Sequence, residues 1–159
     1  MRIEPSEEAA RAIALKALDR VPRSRAQLED LLEAKGIEPD VARAVLDRFE
    51  AVGLVDDQAL AEMLVRTRHS ERGLVGPVLL AELTRKGIDP ETAAAAMEQI
   101  TSADQVEAAS RIARKRLAAT SGLARETRLR RLAGVLARKG YPAGQAYAVV
   151  RRVLEEEGV

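Results

Sequence analysis

The residues best suited to chemistry in this chain are basic side chains in its last third. Between residues 111 and 139, ten Lys and Arg residues stand against a single acid, Glu126. The wider chain shows the same asymmetry: residues 1–104 hold 14 basic and 20 acidic residues, a net charge of −6, whereas residues 105–159 hold 12 and 5, a net charge of +7. Such an imbalance is typical of proteins whose basic part meets a polyanion.

The basic residues fall at roughly helical spacing, so they can form stripes that neutralise backbone phosphates of single- or double-stranded DNA. Few aromatic side chains are available for base stacking, so we expect contacts mainly to the backbone. A solvated, Arg-rich face is the alternative. The two stripes are formed by Arg111, Arg114 and Lys115 on one helix and by Arg128, Arg131 and Arg138 on the next, and the same helices also carry Arg116, Arg130 and Lys139. A second, smaller cluster comprises Arg66, Arg68, Arg72, Arg85 and Lys86.

Residues that could support catalysis or metal binding are sparse. The chain has no cysteine and one histidine, His69, which we interpret as a solvated side chain. Asp56 and Asp57 precede an apolar periodic segment, a position typical of helix caps rather than metal ligands. We therefore expect a binding protein that is not an enzyme and that uses no cofactor.

The elements that would position these residues belong to an internal repeat. Residues 28–49, 79–100 and 132–153 align, and each contains Lys, Gly and an apolar residue, at Lys35, Lys86 and Lys139 and the two positions that follow. A glycine in this place predicts a helix end with left-handed backbone, and the apolar residue after it should pack on the residue five positions earlier. That residue is leucine in all three copies: Leu32, Leu83 and Leu136.

Each copy is predicted to contain three helices, giving an all-α fold with repeats at residues 1–53, 54–101 and 102–159. A unit of this size cannot bury its apolar face alone, so we expect the repeats to stack into an elongated, curved solenoid of either hand. Capping boxes are predicted at Ser24 with Gln27 and at Ser102 with Gln105. Pro39 and Pro90 are expected at first helical positions.

The leading helix of the first copy is predicted from about Glu7 to Val21. Its apolar face is imperfect. The residues that we assign to that face are Ala9, Ala12, Ile13, Leu15, Lys16 and Leu18.

The composition of the chain indicates whether it can form a core and whether it is exported or inserted into a membrane. Apolar residues make up 47% of the chain, enough for a sizeable core, and neither an export signal nor a membrane-spanning segment is apparent. We expect a soluble, cytoplasmic protein, working as a monomer and without membrane contact.

Several motifs taken together resemble the RecX family of bacterial regulatory proteins. They are Arg23-Ser24-Arg25-x-x-Leu28, Lys35-Gly36, Gly53-Leu54-Val55-Asp56-Asp57-x-x-Leu60-Ala61, Arg66-x-Arg68 and Lys86-Gly87-Ile88. The resemblance covers about residues 9–155. Many relatives carry an aromatic residue where this chain has Leu60, and commonly another near residues 16–18, so aromatic contacts made there by relatives are not expected here.

The resemblance implies a modulator that binds RecA nucleoprotein filaments and inhibits the recombinase, ATPase and co-protease activities of RecA in DNA repair, recombination and the SOS response. It adds the basic residues of the family-like segments, Arg23 and Arg25, to the candidates. The complete set for contact with DNA or the RecA filament is Arg23, Arg25, Arg66, Arg68, Arg72, Lys86, Arg111, Arg114, Lys115, Arg128, Arg131, Arg138 and Lys139.

Two other functions remain open at this point. Residues 24–57 alone could form part of a winged-helix transcription regulator, although a wing requires a β-hairpin after Leu54 and Val55. The chain could also be a helical scaffold that binds another protein and never contacts nucleic acid.

Overall fold

The structure, a computed structural model, describes residues 5–158 and is helical throughout that range, with no strand. Nine α-helices, three for each predicted repeat, are present in the described chain. They are α1 (Pro5–Arg20), α2 (Arg25–Ala34), α3 (Pro39–Ala51), α4 (Asp57–Arg72), α5 (Gly76–Arg85), α6 (Pro90–Met97), α7 (Ser102–Arg116), α8 (Arg125–Arg138) and α9 (Ala143–Glu156), with a 3₁₀ turn at Ala118–Thr120. Residues 1–4 and 159 of the two outer predicted repeats lie outside the described residues.

The Lys-Gly-apolar turns end the middle helix of each repeat as predicted. Gly36, Gly87 and Gly140 have φ values of +80°, +86° and +108°. In each copy the N–H of the residue after glycine donates to the carbonyl of the predicted leucine. The N···O distances are 3.0 Å for Ile37–Leu32, 3.2 Å for Ile88–Leu83 and 3.2 Å for Tyr141–Leu136. The three leucines are fully buried, so this hydrogen bond and the burial of the leucine side chain stabilise each helix end.

Helix starts are set by capping residues, with one correction to the sequence prediction. The capping box of Ser24 and Gln27 is confirmed. The box predicted at Ser102 and Gln105 is wrong by one residue, because Thr101 is the N-cap of α7 and Asp104 returns the bond. Thr101 has extended backbone that frees its hydroxyl to accept from Asp104 N at 3.0 Å, whereas Ser102 is already helical.

Asp56 and Asp57 both cap helices, but not the same helix. Asp56 Oδ1 accepts from Ala59 N at 3.0 Å in the first turn of α4. Asp57 Oδ1 instead accepts from Arg25 N at 2.9 Å, at the first residue of α2. The adjacent carboxylates therefore satisfy free N–H groups at two helix starts far apart in sequence.

The described chain divides into two compact units. The first comprises residues 1–63 and 83–93, and its core joins α1, α2 and α3. α1 contributes Ala10, Ala14 and Ala17, at helical spacing. The predicted α1 face was wrong for Ala9, Ala12, Leu15 and Lys16, which are exposed. Leu15 is exposed because the buried face of α1 is the one that carries Ala10, Ala14 and Ala17.

The second unit comprises residues 64–82 and 94–159. Its core is formed mainly by α7, α8 and α9, and α9 contributes the buried residues Ala146, Val149, Val150 and Val153. Val75 and Tyr141 complete the cluster from the loops. This core holds the two helices that carry the basic stripes.

Candidate functional site

The α8–α9 turn and the α4–α5 loop are fixed to each other within the second unit. Tyr141 donates its hydroxyl proton to Gly73 O at 2.9 Å, and Val75 N donates to Lys139 O at 3.0 Å. A Cβ on Gly140 would lie 1.9 Å from Val75 O, so only glycine allows this approach. The contact places Lys139, at the end of α8, beside Arg72, at the end of α4.

A basic cavity of about 260 Å³ opens beside this contact, between the ends of α4 and α8 and the outer face of α7. Five of its lining residues are cationic, and Glu71 is the one acid among them in the described chain. The cations are Arg72, Arg111, Lys115, Arg116 and Lys139. Opposite charges are scarce here, so the cavity favours anions.

The electrostatics of Lys139 reflect this crowding of cations. Its Nζ donates to Arg72 O at 2.8 Å. Partial burial, together with the positive charges of Arg116 and Arg72, lowers the pKa of Lys139. A bound anion would relieve that repulsion and favour the charged lysine.

A second depression, of about 380 Å³, continues from the first through a shared residue, Arg116. It adds Arg130, Arg131 and Arg138 from α8, and among its lining residues in the described chain there is no acid. We call these eight cations, from the two depressions together, the basic surface. The sequence analysis left Arg116 and Arg130 outside the two stripes, and it did not indicate that Arg116 lines both depressions.

Arg128 does not belong to the basic surface, contrary to the stripe prediction. Its side chain is buried, with Nε donating to Thr120 Oγ1 at 3.0 Å and Nη2 to Leu117 O at 3.1 Å. These bonds tie α8 to the end of α7 and the 3₁₀ turn. Arg131 and Arg138, the other two residues of the predicted stripe, are exposed.

Other predicted site residues form ion pairs or hydrogen bonds with neighbouring side chains. Arg114 pairs with Glu156 at 2.9 Å, on a different side from the basic cavity lining. Arg68 and Arg72 share Glu82, at 3.0 and 3.2 Å. Arg66 donates to Gln99 at 3.2 Å and remains exposed.

The candidates in the first unit have different surroundings. Arg25 pairs with Glu29, Asp47 and Glu50 at 2.8–3.0 Å. Although burial lowers it, the pKa of Arg25 is raised overall by these bonds, so this guanidinium is a structural hub. Lys86 is half-buried, and its carbonyl accepts from the Ser24 hydroxyl. Arg23 is half-buried, and its buried Nε finds no hydrogen-bond partner among the described residues.

His69 is less solvated than the sequence suggested. It is half-buried in the basic cavity, and its Nδ1 lies 3.2 Å from Leu74 O. Within the described residues no group of three or more His, Asp or Glu side chains could hold a metal ion. Nor is any helix of residues 5–158 long and apolar enough to cross a membrane.

Comparison with known proteins decides the family. Sequence models of the first, second and third three-helix domains of RecX match residues 10–49, 56–97 and 103–150. The chain belongs to the RecX family. It is 51% identical to the regulatory protein RecX of Thermobifida fusca (strain YX) over 150 residues, covering 94% of this chain and 81% of the relative. It is 47% identical to that of Streptomyces lividans over 151 residues, covering 95% and 80%.

Solved structures of RecX share the fold. The crystal structure of RecX from Lactobacillus salivarius superimposes with a TM-score of 0.84 at 24% identity, covering 95% of this chain and 96% of that one. Another crystal structure of regulatory protein RecX gives 0.82 at 21% identity, covering 92% and 73%. The all-helical fold of three three-helix domains is thereby confirmed.

Proposed function

We propose that this RecX-family protein binds RecA nucleoprotein filaments, contacts the DNA backbone through the basic surface, and inhibits the recombinase, ATPase and co-protease activities of RecA. The observation that carries the DNA part is that Arg116 lines both depressions, whose described lining residues together include eight cations and one acid, while Arg72 is also paired with Glu82. Membership of a family of regulatory proteins supports the regulatory part.

The mode of contact follows from the side chains. Arg and Lys are suited to phosphate oxygens, and arginine forms paired, charge-assisted hydrogen bonds with them. The residues that line the two depressions include no aromatic side chain. We therefore expect binding that is indifferent to sequence and strongly salt-dependent.

The winged-helix alternative finds no support in the fold. α4 begins at Asp57, directly after the segment where a wing would have to form. The described chain contains no strand. A β-hairpin after Leu54 and Val55 therefore has no room.

The DNA contact is tested by neutralising two exposed arginines of the basic surface, in Arg116→Gln/Arg131→Gln. The matched control, Arg151→Gln/Arg152→Gln, removes the same charge from exposed positions of α9 in the same unit. Affinity for single-stranded DNA is measured by fluorescence anisotropy over a range of salt concentrations. Two lost phosphate contacts should make the slope of log K against log salt shallower by about 1.4.

The control variant should retain the parent slope. Equal slopes for the parent and the Arg116/Arg131 variant would contradict the basic-surface proposal. If instead the parent does not bind DNA at all yet still inhibits RecA, the proposal is also contradicted, and the protein is a scaffold that acts through protein contacts alone.

A further inference from the structure

Another pocket lies in the first unit and shares no lining residue with the basic surface. It has a volume of about 400 Å³ and is lined by α1, by α2 and by the loop and turn that flank α2. From α1 come residues spaced by three and four positions, which places them on one helix face. The lining residues are Ile13, Lys16, Ala17, Arg20, Arg23, Leu31 and Lys35.

The pocket combines an apolar floor with a cationic rim. Ile13, Ala17 and Leu31 supply apolar surface, and all three are at least half-buried. The other four lining residues are cations, and none of the described residues that line the pocket is acidic. This rim stands out because the first unit as a whole holds 11 basic and 16 acidic residues, a net charge of −5.

Stabilisation of helix ends by positive charge explains only some of the cations on this rim. Arg20 lies in the last turn of α1 and Lys35 is the C-cap of α2, where positive charge stabilises the carbonyl end of a helix. Lys16 lies a turn further back in α1. It has no such role there.

Arg23 contributes a cation to the rim that the hydrogen bonds of the fold do not explain. Its Nε is buried without a hydrogen-bond partner in the described chain. A buried donor left unpaired destabilises the folded state, so the fold alone does not favour arginine at this position. Leucine or methionine would fill the same space without that cost.

We propose that the α1–α2 pocket binds a short acidic segment of a partner protein, with an apolar side chain on the floor and carboxylates on the rim. The proposal goes beyond DNA contact, because it assigns a protein ligand to a surface that the basic surface does not include. Arginine and lysine around an apolar depression match such a segment in both charge and polarity.

A nucleic-acid backbone fits this pocket less well. Its phosphates would meet the cations, but they offer nothing apolar for the floor. A long polyanion would also run along a unit of net charge −5, whereas a short peptide senses mainly charges within about one Debye length, roughly 8 Å at physiological salt.

The experiment uses the full chain and a short fluorescein-labelled peptide of alternating glutamate and leucine, followed by fluorescence anisotropy. A peptide of glutamate and serine with equal charge tests the apolar floor, and oligothymidylate tests phosphate. We expect the glutamate–leucine peptide to bind at least about tenfold more tightly than the glutamate–serine peptide. Equal affinities, or no binding of either peptide, would overturn the proposal.

The variant Lys16→Glu/Lys35→Glu changes two exposed residues of the pocket, and its thermal unfolding is measured as well, because Lys35 is the C-cap of α2. The control, Arg11→Glu/Arg43→Glu, makes the same charge change elsewhere in the first unit. The pocket variant should bind the glutamate–leucine peptide at least about tenfold more weakly than the control does. Equal losses in both variants, or a larger loss for oligothymidylate than for the peptide, would contradict a peptide site.

Arg23→Leu gives a second line of test. Removing an unpaired buried donor should leave thermal stability unchanged or raised, while peptide affinity falls. If instead stability falls and peptide affinity holds, Arg23 serves the fold and the proposal loses the support of this residue. Both pocket results can fail while the basic-surface result stands, because they use different variants and probes.

Discussion

Gly36 and Gly140 occupy equivalent turns but have different surroundings. Both have positive φ, which a side chain disfavours. Around Gly36 there is open space, whereas a Cβ on Gly140 would collide with the Val75 carbonyl. The sequence predicts the left-handed backbone at both sites but not the second constraint, because that constraint comes from a loop far away in sequence.

Gly36→Ala should therefore lower the free energy of unfolding by about 1–2 kcal/mol, the cost of left-handed backbone alone. Gly140→Ala should cost at least about 1 kcal/mol more, since the turn must also move away from the α4–α5 loop. Urea unfolding followed by circular dichroism measures both. Equal losses would show that the contact between Gly140 and Val75 is not tight.

Tyr141 links stability to alkaline pH. Burial raises the pKa of its phenol from 10.0 to about 12. Above pH 10 the unfolded chain loses this proton while the folded chain keeps it, so stability is complete below pH 10 and declines between pH 10 and 12. Tyr141→Phe should lack this component of the decline, and should cost about 1–3 kcal/mol at neutral pH by leaving the Gly73 carbonyl unpaired.

The comparison of the two unfolding profiles isolates the phenol from lysines that also titrate there. Parallel profiles for the parent and Tyr141→Phe between pH 10 and 12 would show that the Tyr141 hydroxyl is not held as described.

Several residue roles were beyond sequence reasoning because they depend on long-range partners. Arg128 is at a stripe position, yet Thr120 and Leu117 draw it inside. Asp57 caps α2 rather than its own helix. The buried leucines at these helix ends were predictable, by contrast, because each leucine lies only four residues before the glycine that ends the same helix.

At the scale of elements, the start of α7 offers a sharp test. Thr101→Ala removes a capping box and should lower the free energy of unfolding by about 1 kcal/mol. Ser102→Ala is the matched control, because Ser102 is exposed within the first turn and should change stability by less than about 0.5 kcal/mol. Thermal unfolding that ranks the two variants in the opposite order would restore Ser102 as the cap.

Helix number and order were predictable because apolar periodicity, proline and glycine are local signals. Pro39 and Pro90 begin α3 and α6 as expected. The buried face of α1 was not predictable in detail, because alanines occur on more than one side of this helix. Packing against α2 and α3 selects Ala10, Ala14 and Ala17.

At the scale of the whole molecule, charge is divided between the compact units. The first carries −5, and the second, with 15 basic and 9 acidic residues, carries +6. The charge imbalance could be read from the sequence, and it pointed to α7 and α8, which carry most of the residues of the basic surface. The meeting of α4, α7 and α8 around one basic cavity could not be read from the sequence, because it depends on how the turn at Gly140 packs against the α4–α5 loop.

The central claim is tested most directly by the DNA-dependent ATPase of RecA, measured with substoichiometric amounts of the parent protein, Arg116→Gln/Arg131→Gln and Arg151→Gln/Arg152→Gln. The account predicts that the parent and the Arg151/Arg152 control inhibit the ATPase equally, and that the Arg116/Arg131 variant inhibits it less. Failure of the parent to inhibit, or undiminished inhibition by the Arg116/Arg131 variant, would contradict it.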